Sequence, residues 1–245
     1  MRPGDVVSVV GTTGSGKSRL LADIECLAQG DTPTGRKILI NNCIPESEQR
    51  FSAEHKLVAQ LSQNMNFVVD LTVREFVTLH AESRMIPDTG EMVDKIIACA
   101  NTLAGERIQY DIPITQLSGG QSRALMISDT ALLSPLPVVV IDEIENAGVD
   151  RRKALDLLIT GDKIVLISTH DPILALMADM RIVIKNGRID SVIKTTLREA
   201  QNLTFFQDID NLMSETRRQI RMGEIIDCDI KEYLDNFRSI GQFRL

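Results

Sequence analysis

Asp5-Val-Val-Ser-Val-Val10 runs into Gly11-Thr-Thr-Gly-Ser-Gly-Lys17-Ser18 and on into Arg19-Leu-Leu-Ala-Asp-Ile-Glu-Cys-Leu27. The first segment is a short β-branched run ending at a glycine turn, the pattern of a buried strand. The last segment reads as a helix beginning near Lys17. Between them lies a phosphate-binding loop. Phosphate oxygens need many donors at close range, and Gly11, Gly14 and Gly16 remove Cβ atoms so that backbone N–H groups can curl round the anion. The N-terminus of the following helix adds positive potential. Within the loop Gly11, Thr12, Thr13, Gly14, Ser15, Gly16, Lys17 and Ser18 are all candidate ligand contacts. Lys17 reaches terminal phosphates and Ser18 offers a hydroxyl to Mg²⁺.

Outward from this stretch, strands and helices alternate. Residues 30–35 form a loop by composition. Lys37–Asn41 and Lys56–Gln60 read as strands. Helical spacing runs from about Val73 to Gly105, with turn signals at Pro87–Gly90, and Ser118 opens a helix to about Leu133. Pro137–Ile141 is a fully apolar strand and Lys163–Ser168 another buried strand, separated by a short helix at about Arg151–Ile159 and followed by one near Pro172–Met180. Arg181–Val192 is a hairpin turning at Asn186-Gly187. This order predicts an α/β fold, a mostly parallel sheet flanked by helices.

Two further stretches carry chemistry. Asp142 and Glu143 end the strand Pro137–Ile141, at the carboxyl edge of the sheet where ligands bind. There one carboxylate can hold Mg²⁺ while its neighbour polarises an attacking water. In Leu117-Ser118-Gly119-Gly120-Gln121 a serine and two glycines open a helix, which makes a second anion site. One nucleotide has one phosphate chain, so two such sites in one chain suggest two subunits sharing each nucleotide.

With these motifs the chain resembles the ATP-binding cassette (ABC) ATPase family, a P-loop NTPase family. Leu117–Gln121 matches its signature and lies 24 residues before Asp142 (142 minus 118). The resemblance implies Mg²⁺-dependent ATP hydrolysis by a homodimer, or a heterodimer with a second cassette, closed head to tail round two ATP molecules. Ser118 and Gly120, with Gly119 and Gln121, would cap the γ-phosphate of the partner's ATP. Glu143 would be the general base and His170 the residue that senses the γ-phosphate. Gln63 and Asp142 would serve Mg²⁺ and water, with Gln60 as a competitor for the place of Gln63. Asp150 matches the end of the family's D-loop, although Ala-Gly-Val-Asp stands where Ser-Ala-Leu-Asp is usual. The chain also departs from the family in the short segment before the loop: no Phe, Tyr or Trp precedes Phe51, where relatives keep an aromatic that stacks on adenine.

The remaining features bound the answer. The 245 residues are 43% hydrophobic and 25% charged with net charge −7, so no nucleic-acid partner is expected. The four cysteines, lacking metal-ligand spacing, suit a reducing compartment. No stretch is long and apolar enough for a membrane span, and no signal peptide is evident. The expected location is the cytoplasm, peripheral at the inner face of the cell membrane where a partner holds the chain there. Residues 1–195 are expected to form the ATPase domain, with a small helical subdomain at about 70–130, and 196–245 a C-terminal helical extension. In that extension a helix through Leu197–Ile220 ends before Gly223, and a second starts at Asp229 with Tyr233, Leu234 and Phe237 on one face. Two outputs compete. One is the ATPase subunit of a transporter with membrane permease subunits as partners, and the 54 residues between Gln63 and Ser118 suit its compact coupling subdomain. The other is a soluble ATPase that remodels or activates a protein complex.

Overall fold

The structure, a computed structural model, describes residues 1–52, 54–62, 67–144 and 148–227. Its centre is a six-stranded sheet of β1 (Val6–Val10), β2 (Val58–Leu61), β3 (Val138–Asp142), β4 (Ile164–Ser168), β5 (Met180–Lys185) and β6 (Arg188–Lys194). The spatial order is β2-β3-β4-β1-β5-β6. All neighbours run parallel except the β5–β6 hairpin. Because β3 adjoins β4 and β4 adjoins β1, the carboxyl ends of these three strands come together at one edge.

The period-two pleat sorts the apolar residues into two layers. Val6, Val139, Ile141, Val165 and Ile167 face one hydrophobic cluster; Val7, Val9, Val140 and Leu166 face the other. The second cluster is covered by Leu20 and Leu21 of α1 (Lys17–Glu25). The first is covered by α3 (Val73–Ser83), α4 (Thr89–Leu103), α5 (Gly119–Leu133) and α6 (Arg151–Ile159). The short α2 (Ser47–Phe51) lies between α1 and β2 in sequence, and α7 (Pro172–Met177) follows β4.

The helical layer starts and stops where its sequence says it should. Thr72 caps α3 by accepting from Glu75 N, and the Glu75 side chain reaches back to Thr72 N at 2.8 Å. Asp88 caps α4 in the same position. From these caps α3 buries Val73, Phe76, Val77 and Ala81, and α4 buries Val93, Ile96, Ile97, Ala100 and Leu103, the i, i+3, i+4 spacing of core-facing stripes.

Two local readings are corrected. Lys37–Asn41 is not a strand: only isolated bridges, Gln29 with Lys37 and Ile40 with Cys43, form there. Asn41 and Asn42 adopt φ of 49° and 63°, which curls the chain into a tight turn. The helix from Pro172 ends at Met177, not Met180. Asp179 draws the chain into the sheet instead: its carboxylate accepts from Val6 N at 2.7 Å and its N–H donates to Val6 O at 2.9 Å. The second tail helix expected from Asp229 falls outside the described residues.

The chain through Ala200 forms one compact unit, and a second begins at Gln201. The long α8 (Leu197–Arg221) starts in the first and contributes no buried side chain. A chain ended at Ala200, which keeps Glu199 beside Arg181, is therefore expected to hold its unfolding temperature within about 4 °C, the effect of roughly 1 kcal/mol in a domain of this size. Thermal denaturation followed by circular dichroism measures this, and a fall several times larger would show that the sheet depends on the extension.

Candidate active site

The loop between β1 and α1 is fixed by close approach. A Cβ on Gly11 would lie 2.4 Å from the Ile184 carbonyl oxygen of β5 and 2.7 Å from Ser15 Oγ. Gly16 caps α1 at φ 105°, in the left-handed region, and a Cβ there would meet Gly187 Cα at 3.2 Å. Gly11→Ala is accordingly expected to lower stability by about 1–3 kcal/mol, the usual cost of overpacking, read as a shift of the urea midpoint with unchanged slope. A neutral result would mean that β5 yields easily at Ile184.

The first turn of α1 is Lys17-Ser18-Arg19, with no acidic residue. Helix N-termini favour negative charge, as α3 and α4 show with Glu75 and Glu91. Two cations at the positive end of a helix suit an anionic ligand, not the helix itself. Lys17 is buried, and its ammonium donates to Gly11 O at 3.1 Å, less closely to Thr12 O at 3.4 Å, and to His170 Nε2 at 2.9 Å. An ammonium has no lone pair, so Nε2 is the acceptor in that contact.

At the carboxyl edge, Asp142 pairs in register with Ser168. Its Oδ1 is buried with no hydrogen-bond partner, a costly state for a carboxylate oxygen. The following Glu143 adopts φ 50°, rare for a residue with a side chain. Its main chain is held on both sides: the N–H donates to Ser168 O at 3.0 Å, and the carbonyl accepts from Arg123 Nη1 at 2.9 Å. Its side chain approaches His170, whose Nε2 lies 3.7 Å from Glu143 Oε1, near but beyond hydrogen-bond distance. Asp171, next in the chain after His170, is itself anchored. It caps α7 by accepting from Ile173 N at 2.7 Å and pairs with Arg151 at the start of α6.

No group of three or more His, Cys, Asp or Glu side chains gathers as a metal cage among the described residues. The orphaned Asp142 oxygen and the hydroxyl of Ser18 make a sparse, hard, oxygen-only donor set. That set fits Mg²⁺, which keeps waters and substrate phosphates as its other ligands.

The loop and Glu143 open into a cleft of about 580 Å³. Residues 13–19 form its floor, Glu143 lies on its wall, and Thr34, Arg36, Asn186 and Gly187 complete it. The last four were not legible as site residues. Asn186-Gly187 reads only as a hairpin turn, and Arg36 reaches the cleft through contacts with residues far away in sequence.

The other motif residues lie elsewhere. Ser118 caps α5 with a reciprocal pair: Gln121 N donates to Ser118 Oγ at 3.3 Å and Ser118 N donates to Gln121 Oε1 at 2.9 Å. Gly119 and Gly120 follow in the first turn, again without an acid. Asp150 caps α6 by accepting from Lys153 N at 3.2 Å, and its N–H donates to Leu103 O. None of Ser118, Gly119, Gly120, Gln121 or Asp150 lines the cleft. The structure thus gathers Lys17, Asp142, Glu143 and His170 at one edge and leaves the second anion-ready helix N-terminus outside it. Gln63 falls outside the described residues.

Comparison with known proteins shows the family. Residues 1–146 match the ABC transporter family. An uncharacterized ABC transporter ATP-binding protein of Methanocaldococcus jannaschii is 50% identical over 224 residues, covering 91% of this chain and 85% of that protein. The energy-coupling factor transporter ATP-binding protein of Streptococcus mutans is 26% identical over 198 residues, 78% of this chain and 68% of that one. Among solved structures, a dimeric bacterial ABC transporter cassette superposes with a TM-score of 0.61 at 25% identity, covering 80% of this chain and 88% of that one. A dimeric cassette in a post-hydrolysis state bound to ADP and phosphate gives the same TM-score at 24% identity, with the same coverage.

Proposed function

The chain belongs to the ABC transporter ATPase family, and from that premise we infer that it hydrolyses Mg-ATP as a head-to-tail dimer whose opening and closing drive a partner. The observation that carries this is the separation of two anion-ready helix N-termini on one chain. Only that of α1 opens into the cleft with Glu143. A second subunit turned head to tail would bring its Ser118 and Gly120 to that cleft.

The residues divide the work. The N–H groups of residues 11–18 and the ammonium of Lys17 bind the β- and γ-phosphates. A charged phosphate oxygen is a stronger acceptor than the carbonyls and imidazole that Lys17 now engages, so Lys17 turns to it and releases His170, whose ring, with a proton on Nε2, donates to the γ-phosphate. Glu143, fixed by its main chain, accepts the proton of the attacking water as general base. Asp142 and Ser18, joined by Gln63, would hold Mg²⁺, which neutralises phosphate charge when bound. Ser118 and Gly120 of the second subunit close over the γ-phosphate, while Gly119 and Gln121 shape that helix start and Asp150 joins it at the subunit boundary. The test is hydrolysis of Mg-ATP by the purified chain together with ATP-dependent dimerisation. A chain that binds ATP but neither dimerises nor hydrolyses it would overturn this reading.

The output we propose is transport, with the chain as the ATPase subunit held at the inner face of a membrane by permease subunits. The name carried by the half-identical relative supports this, as does the compact α3–α5 layer. No helix among the described residues is long and apolar enough to cross a membrane.

A further inference from the structure

The cleft has a reacting end and a remote end. Glu143 and the Lys17–His170 contact mark the first. Phosphates bound along the first turn of α1 would direct the nucleoside to the wall made by Thr34, Arg36, Asn186 and Gly187. Among the described residues, no aromatic side chain lines the cleft.

Arg36 is unusually well fixed for a residue at a cleft wall. Asp23 of α1 is 2% exposed. Its carboxylate accepts from Arg36 Nη1 at 2.6 Å, Thr34 Oγ1 at 2.7 Å and Thr32 Oγ1 at 2.8 Å. Burial alone would raise the Asp23 pKa, but the hydrogen bonds from Arg36, Thr34 and Thr32 outweigh it and hold the carboxyl below its ordinary range. The far corner of the guanidinium, Nη2, donates to Gly187 O at 2.7 Å, which ties it to the β5–β6 turn. Its charge is matched by Asp23 and two of its corners are engaged. What it still offers a ligand is a flat, weakly hydrated face, the surface on which aromatic rings stack.

We propose that Arg36, held by Asp23, is the platform on which the nucleobase of the substrate stacks. This rests on reading the cleft as a nucleoside triphosphate site. Every nucleobase has a π-face, so such a platform tolerates different bases. ATP and GTP are therefore expected to bind within about tenfold of each other, ~1.4 kcal/mol.

Calorimetric titrations with Mg-ATP, Mg-GTP and Mg-tripolyphosphate test this on three proteins: the wild type, Arg36→Lys, and the paired Asp23→Asn/Arg36→Gln. The lysine variant keeps a cation beside Asp23 but loses the plane, and the paired variant leaves no unmatched buried charge. Both should bind ATP and GTP at least about fivefold more weakly, the lower end of a measured stacking contribution, with tripolyphosphate affinity unchanged. Unchanged tripolyphosphate binding also reports that the cleft is folded. Equal losses for all three ligands would mean that Arg36 reads phosphate charge, and unchanged ATP affinity would mean that it reads nothing; either overturns the platform. A wild-type preference for ATP over GTP beyond a hundredfold would also overturn it. A wild type that bound none of the three ligands would instead overturn the phosphate-cleft reading beneath it.

Discussion

Glu143→Gln is expected to bind Mg-ATP normally, to lose at least about a hundredfold in hydrolysis, the lower end of what a general base contributes, and to accumulate as an ATP-bound dimer. The structure explains why this substitution should be clean. Glu143 is anchored through its main chain, by its N–H to Ser168 O and its carbonyl to Arg123 Nη1. Neither contact uses the carboxylate, so glutamine inherits the same strained backbone and nearly the same shape. The amide cannot take the proton of the attacking water, and the closed state should persist. Size-exclusion chromatography with light scattering, with and without Mg-ATP, gives the assembly state, and phosphate release gives the rate. A variant that hydrolyses ATP at near wild-type speed would move the general base elsewhere. One that binds ATP yet stays monomeric at high concentration would remove the shared-site reading.

Mixing two inactive chains is expected to restore hydrolysis. Lys17→Ala loses the ammonium of the cleft but keeps the signature helix start, whereas Ser118→Arg keeps the cleft and blocks the signature. Each heterodimer then holds one intact composite site and one doubly damaged site, so activity per heterodimer should reach up to about half that of the wild-type dimer. Each parent alone should stay near background. Ser118 also caps α5, so its replacement costs about 1 kcal/mol of helix stability. Ser118→Ala, which loses the cap but adds no bulk, separates that loss from the steric block. If the mixture is as inactive as both parents while ATP-dependent dimers still form, the second subunit does not complete the site. The same mixing with a Glu143→Gln chain in place of Lys17→Ala gives an independent check.

The phosphate loop, the carboxylates at 142–143 and the signature helix were legible because each depends on residues adjacent in the chain. A strand–glycine turn–helix unit is local physics: the φ of Gly16, the N–H groups of α1 and the reach of Lys17 all follow from a few consecutive residues. The same locality made the helix start at Ser118 readable. Where local reading failed, a turn or a tertiary contact had overridden propensity. Lys37–Asn41 has the composition of a strand, but two asparagines at positive φ break it and leave only isolated bridges. The helix from Pro172 stops early because Asp179 pairs with the first residue of β1, far away in sequence.

By itself the sequence determined that the chain is a mostly parallel α/β cassette with a glycine-rich strand-to-helix turn, and it pointed to that turn, to the carboxylates at 142–143 and to the helix start at Ser118 as candidate site residues. Repeating hydrophobic periods and contiguous motifs are properties of neighbouring residues, so they survive without coordinates. Only the tertiary structure decided how the strand ends are ordered. It set Lys17 against His170, gave Glu143 its strained turn and left the Asp142 oxygen without a partner. It also brought Arg36 into the cleft through Asp23 and Gly187, residues 13 and 151 positions away. Strand order and cross-chain ion pairs come from how distant segments pack, and packing is set by the whole core at once, so no local stretch of sequence records it.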